Sequence, residues 1–433
     1  MTVRRSLSTG RRHGGGSGDA ACPVTVLTGP AGARTEGGVA SSAGAVPELA
    51  RPDGAEPAGA APELARLARA ARRRDRRVYW RAHPFLFALL AATRGRPVRR
   101  IGRTVLVHDP DAYHEVLTRL PLDRTAPGTT GGAARSALGS KGPGDAGVLF
   151  DQEGGEHRAV RRGLARDLGT AGVEELRALW RPLLADRLEP LATGGAVDVV
   201  ALARELSGTV VCALLDSPAS PRAVAAAAAE VAAASVRSEL PGPPRPGARA
   251  AVARATARLR QLLGDEGDDA LSAMVAVAAV NTTVAALPRA AAWCADAALW
   301  EQAADDTLRR SLVGELLRVT AASPLLPRVA AADGAVGGCP VRAGDRLLLV
   351  ARHAVGAHRA DPDALHPAPA GVARLVFGAG PHTCPGAALA RALLEDLLAA
   401  LAPYRPAVVR AEVDRRAALP GWRTLTVRAG VLR

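Results

Sequence analysis

FGAGPHTCPG (Phe377–Gly386) runs without a break into AALARALLEDLLAALAPY (residues 387–404), a stretch with the apolar spacing of a helix. Two glycines and a proline allow a tight loop that sets Cys384 at the helix start, where free N–H groups and the positive dipole end favour a thiolate. Pro385 fits the first turn, because its missing N–H costs nothing there. Gly386 removes a side chain where something flat could lie close. His382 is the only base nearby, and no second cysteine follows to resolve an intermediate. A thiolate on such a rigid loop suits a metal ligand better than a nucleophile, with a Cys–His pair left open. A phosphate-binding GxGxxG is excluded, since Thr383 stands in the third glycine's place.

The chain around this loop has 433 residues, 48% of them hydrophobic and only 3% aromatic. That is enough for a core built from Ala, Val and Leu, and it excludes wholesale disorder. Lys141 is the sole lysine, so the net charge of +14 rests on arginine and reads as codon bias rather than nucleic-acid binding. Five scattered cysteines with no CxxC pair exclude a disulfide framework and a zinc ribbon. They fit a reducing cytoplasm. The most apolar segment, Ala273 to Leu287, is interrupted by Asn281, Thr282 and Thr283 and falls short of the roughly 20 residues a span needs. No membrane partner is therefore expected. Arg4 and Arg5 are followed by no apolar region, which argues against export.

Residues 1–60 hold 12 Gly and 5 Pro and read as a disordered leader, with one large domain expected over 61–433. A basic helix is expected from Pro62 to Arg81, a strand or hairpin from Val98 to Val107, and a helix over Asp111 to Leu120. Residues 121–147 read as a long Gly/Pro-rich binding loop. Helices then dominate to about 322, with short strands over 324–352 and the helix after Cys384 closing the pattern. The fold class is mainly α with minor β.

The cysteine stretch resembles the haem-binding loop of the cytochromes P450, F-G-x-G-x-H/R-x-C-x-G. Phe377, Gly378, Gly380, His382, Cys384 and Gly386 fill every position. The resemblance implies the P450 fold, haem b as cofactor and Cys384 as the axial ligand of its iron. His382 would then meet a propionate, and Phe377 would shield the thiolate. Glu315 and Arg318, an ExxR whose i, i+3 spacing lets them pair on a helix, resemble the family's structural pair beneath the haem. His157 and Arg161, at i, i+4, resemble its H-x-x-x-R aimed at a propionate. Arg328 and Arg374 are assigned to haem by the resemblance alone. The arginine that completes the family's triad with ExxR is missing, and His366 falls near its place.

On the oxygen side, Ala278-Ala-Val-Asn-Thr-Thr283 stands where the family carries A/G-G-x-D/E-T. Thr282 matches the alcohol of the proton relay, while Asn281 replaces the acid and cannot titrate. The resemblance places Val275, Ala278, Ala279, Leu325 and Leu326 in an apolar substrate pocket. It implies a cytoplasmic, monomeric monooxygenase of the soluble bacterial type. Such an enzyme inserts one oxygen atom into a small apolar organic substrate of secondary metabolism, with ferredoxin and ferredoxin reductase supplying electrons. The altered relay leaves two alternatives: oxidative coupling, cyclisation or desaturation on the same iron, or a haem-binding protein without turnover.

Overall fold

The computed structural model describes residues 60–138, 149–239, 246–264 and 270–430. The leader expected over 1–60 lies, but for its last residue, outside the described residues, as do residues 139–147 of the expected loop and Cys22. Helices α1 (Ala60–Ala82) and α2 (Pro84–Thr93) lead into the strands β1 (Val98–Ile101) and β2 (Thr104–Val107). Then come α3 (Pro110–Thr118), α4 (Thr130–Leu138), α5 (Gly154–Asp167), α6 (Thr170–Ala192), β3 (Ala196–Asp198) and α7 (Val199–Leu214). Helices α8 (Pro221–Glu239), α9 (Ala248–Leu263), α10 (Ala270–Asp296), α11 (Trp300–Ala304) and α12 (Asp306–Thr320) follow. Four short strands come next: β4 (Leu326–Val329), β5 (Gly334–Val336), β6 (Cys339–Val341) and β7 (Arg346–Leu349). Last are α13 (Ala351–Ala354), α14 (Ala370–Ala373), α15 (Ala387–Leu401), β8 (Ala407–Asp414) and β9 (Gly421–Arg428).

The fold is mainly helical with small sheets at its margin. β1, β2, β7 and β4 form one sheet, antiparallel except for the β2–β7 pair; its register sets Arg328 opposite Leu347. β3, β9 and β8 form another. The apolar helix α10 runs through the middle, packed by α7, α8, α1, α12 and the β8–β9 hairpin. By length and composition it could cross a membrane, contrary to the sequence expectation. Its residues Ala285 to Cys294 are all buried among these neighbours, as in the central helix of a globular core. Trp180, fully buried on α6, ties α6 to α15 through its indole N–H, which donates to Asp396 at 2.8 Å.

Two elements escape the sequence reading. α2 (PFLFALLAAT) is apolar all round, so no 3.6-residue period marks it. α4 sits inside the supposed long loop, started by Thr129, whose hydroxyl accepts from the Gly132 N–H at 2.9 Å.

Candidate functional site

The cysteine loop is built as two 3₁₀ turns, Arg374–Phe377 and Gly380–His382, ahead of α15. The Cys384 N–H donates to the Phe377 carbonyl at 2.8 Å and closes the loop. Gly378 (φ +77°) and Gly380 (φ +69°) take left-handed conformations, and a Cβ on Gly380 would meet the Leu117 carbonyl at 2.9 Å. Gly386 differs: a Cβ there would reach only the Cys384 sulfur, at 3.9 Å. The polypeptide itself makes no demand for glycine at 386.

Cys384 is enclosed by protein yet keeps solvent-accessible surface, as a residue on the wall of an interior cleft does. Burial pushes its thiol up, against the pull of the Gly386 N–H, Arg161 and Arg391. The helix end therefore does not outweigh burial, as the sequence suggested it would. A thiol held up in this way is a poor nucleophile at neutral pH, and a metal ion is what would make it a thiolate. His382 does not serve it as a base: it stacks on His157 with ring centroids 4.1 Å apart, and burial plus the arginines around it push it down to about 3. Phe377 lies under the Arg391 guanidinium, 4.7 Å from its ring centroid.

Beside the loop, three separate parts of the chain bring basic side chains together. α5 contributes His157, which is buried, and Arg161; β4 contributes Arg328; and Arg124 comes from the segment between α3 and α4. Each acts on His382 through space, lowering its proton affinity. Burial and the nearby Arg124 push Arg328 itself down to about 10. Its Nη1 donates to Thr130 Oγ1 at 3.1 Å, but its Nε and the His157 Nε2 are buried with no hydrogen-bond partner. Arg124 reaches Glu153 at 3.0 Å on the exposed rim. A buried guanidinium and a buried imidazole, each with an orphan nitrogen, are what carboxylates would satisfy. The propionates of a haem fit this donor set, with the Cys384 sulfur and the bare Gly386 beside it.

Arg124 was not anticipated; in an arginine-rich chain nothing local distinguishes it. Arg374 does not join the cluster. It is exposed and donates to the Ala370 carbonyl at 3.1 Å, because the 3₁₀ turn that follows swings it outward. On α12, Glu315 and Arg318 are both buried, and Arg318 Nε donates to the two carboxylate oxygens at 3.0 and 3.1 Å. The missing third member is not His366, which is exposed and pairs with Asp363 at 3.0 Å. Main chain takes its place: the Ala368 N–H donates to Glu315 Oε1 at 2.9 Å, and Arg318 caps the carbonyls of Val355, Ala360 and Asp361.

On α10, Thr282 Oγ1 donates to the Ala278 carbonyl at 2.8 Å. The Asn281 amide donates to the Val277 carbonyl of its own helix at 2.7 Å and to the Ala228 carbonyl of α8 at 3.3 Å. It lines a cleft of ≈ 290 Å³ between α8, α10 and the β8–β9 hairpin. Val275, Ala278, Ala279 and Thr282 recur at helical spacing on one half-buried face, and Leu325 and Leu326 are half-buried at the start of β4.

No protein-family model matches the chain. It is 29% identical over 294 residues to 20-oxo-5-O-mycaminosyltylactone 23-monooxygenase of Streptomyces fradiae; the match spans 58% of this chain and 66% of that protein. Among solved structures it is similar to P450BioI in complex with an acyl carrier protein ligated to hexadec-9Z-enoic acid (TM-score 0.64, 17% identity, 81% of this chain and 99% of that one). The epothilone B-bound P450epoK matches at TM-score 0.62 and 20% identity, over 82% and 98% of the two chains. The mycinamicin VIII C21 methyl hydroxylase MycCI of Micromonospora griseorubida matches at 0.57 and 21%, over 78% and 95%. With this alignment, and with the cysteine signature filled position for position, the chain has the fold of the cytochromes P450 and carries the residue pattern of their haem-binding loop.

Proposed function

We propose that residues 61–433 form a haem-thiolate monooxygenase that inserts one atom of dioxygen into an apolar organic substrate of secondary metabolism. The observation that carries this is the pairing of the Cys384 loop with the buried Arg328 guanidinium and the buried His157 imidazole, each with a nitrogen that lacks a partner. Cys384 holds the iron, while His157, Arg161, Arg328, His382 and the newly found Arg124 hold the propionates. Bound haem supplies the reductive activation of dioxygen. Phe377 and Gly386 shape the cleft around the sulfur, and the Glu315–Arg318 pair locks the segment beneath it. Thr282 passes protons toward the haem side, with water taking the part that Asn281 cannot play.

Val275, Ala278, Ala279, Leu325 and Leu326 give the pocket small apolar walls, suited to a bulky apolar substrate. The Streptomyces relative acts on a mycaminosyltylactone, which supports a macrolide-class substrate here. Exposed Arg158, Arg162 and Arg374, with Arg391 behind them, make a basic surface near Cys384 for an acidic ferredoxin and its reductase. We read the protein as a cytoplasmic monomer.

Asn281 favours a second reading, oxidative coupling, cyclisation or desaturation, because its amide is spent on two carbonyls and offers no proton. The test is the carbon monoxide difference spectrum of the reduced protein, followed by a macrolide-library screen for the spin-state shift and analysis of products. Thiolate ligation gives the family's red-shifted band. Products gaining one oxygen support insertion, and products losing two hydrogens support the second reading. No red-shifted band, or no substrate-dependent use of reductant, defeats both.

A further inference from the structure

α2 packs Leu86, Phe87 and Leu90 inward and presents its other apolar face to the outside. Phe85, Ala88, Leu89 and Ala92, spaced i, i+3, i+4 and i+7, form one exposed helical stripe, and Phe85 is 90% exposed. Trp80 at the end of α1 extends the stripe at 44% exposure, whereas Trp180, Trp293, Trp300 and Trp422 are buried. Leaving large apolar side chains in water is unfavourable, and a contiguous exposed patch of them marks a binding surface.

The rim of this stripe is cationic. Arg73, Arg77 and Arg81 on α1 and Arg94 and Arg96 just past α2 are exposed and, among the described residues, form no ion pair. The acids close by are already engaged. Asp75 is buried between Arg289 and Arg352, and Glu63 faces Arg66 at 3.7 Å. Aromatic and aliphatic side chains bordered by arginine suit a surface with an apolar interior and negative headgroups.

We propose that the α1–α2 face docks on an anionic phospholipid surface, as a peripheral contact that spans nothing. α2 is about 15 Å long, half the hydrocarbon thickness of roughly 30 Å, so it lies along the interface rather than across it. A lipid is favoured over an acidic protein because the exposed stripe of α2 carries no hydrogen-bonding side chain. Protein interfaces need about one hydrogen bond per 100–200 Å², while acyl chains need none. Long arginine stems can cover an apolar border while their charges stay at headgroup level. This contact would bring the protein to a lipid phase in which apolar molecules concentrate, and it does not depend on the reaction assigned above.

The experiment is co-sedimentation of the full-length holoprotein with vesicles of phosphatidylcholine, alone or mixed with phosphatidylglycerol. Binding is expected to the mixed vesicles and to be weak on the neutral ones. It should be released when salt rises from about 0.1 M to about 1 M and the screening length falls from roughly 10 to roughly 3 Å. Phe85→Asp and the milder Phe85→Ser should each weaken binding roughly tenfold or more, while Leu179→Asp on α6 should leave it unchanged. Iodide quenching, taken as the difference between the native protein and Trp80→Phe, should fall on vesicle binding. The haem spectrum verifies that each variant is folded. The proposal fails if mixed vesicles capture no protein, or if capture ignores Phe85. It fails equally if Trp80 is shielded without vesicles, by the chain itself, a second copy or an added acidic protein.

Discussion

Arg328 shows how a single side chain declares its ligand. It sits on β4, nearly enclosed, with Arg124 and His382 as neighbours and, among the described residues, no carboxylate paired with it. Burying a guanidinium without a counter-charge is costly, so the fold keeps it there only for a partner that arrives later. Replacing it by Met preserves most of the volume and removes the charge. Arg328→Met should therefore fold normally and hold haem roughly 10- to 100-fold less tightly, the loss of one charge-assisted hydrogen bond or two. Transfer of haem to an acceptor protein measures it. Unchanged retention would mean that Arg328 faces something other than a propionate. His157, whose Nε2 is equally unpartnered, belongs to the same donor set. Arg374 does not, and Arg374→Ala should leave retention alone.

At the scale of elements, α10 carries one departure from the family pattern, and α12 carries the ion pair that the other, the missing arginine, would have completed. On α10, Asn281 and Thr282 point to different sides, one toward α8 and one back along its own helix. Thr282→Ala should lower the product formed per electron consumed. Asn281→Asp, which restores a titratable group, should raise it, and unchanged coupling in both would remove this turn from the relay. On α12, Glu315→Gln would leave the buried Arg318 uncompensated and cost about 3–5 kcal/mol, read from the urea midpoint. How much of this was legible depends on whether the information is contiguous. The Cys384 loop and the two helical pairs, His157 with Arg161 and Glu315 with Arg318, are short-range patterns, and each stands where the sequence placed it. The Arg124 contribution is tertiary, assembled only when the segment after α3 meets β4 and α5. The substitute for the missing arginine is a backbone N–H, at Ala368, which no reading of side chains reveals. α2 was invisible for a related reason: an all-apolar helix has no period, and the stripe that matters on it is defined by what fails to cover it.

At the scale of the whole molecule, charge burial couples the fold to pH. Away from the cysteine, His108 at the end of β2, His353 on α13 and His358 just beyond it form a second histidine cluster. His108 Nδ1 lies 2.9 Å from His353 Nδ1, and the His353 and His358 rings are 4.8 Å apart. Thr93 at the end of α2 meets His108 Nε2 at 3.2 Å, so the cluster joins the β1–β2 sheet to the segment that Arg318 caps. Burial first, and for His353 and His358 the nearby Arg94 and Arg352 as well, push them down, His108 to about 4, His353 to about 2 and His358 to about 4. Each is neutral in the folded chain and takes a proton on unfolding below its ordinary value of about 6.5. Their contribution to stability is therefore complete above that pH and is lost as pH falls toward 4. Near pH 5 these three rings take up roughly three protons on unfolding, and His382, held down to about 3, takes up another, a slope of about 1.4 kcal/mol per pH unit for each. Glu205 works in a lower window. Held down to about 2 by Arg187 and Arg222, it keeps its contribution until pH falls below about 4.5. Urea unfolding between pH 6.5 and 5 thus isolates the histidines. Stability should fall steeply across that interval, and His353→Gln should make the fall shallower by about one proton; a flat profile in the native protein would show that these rings are not held neutral by the fold.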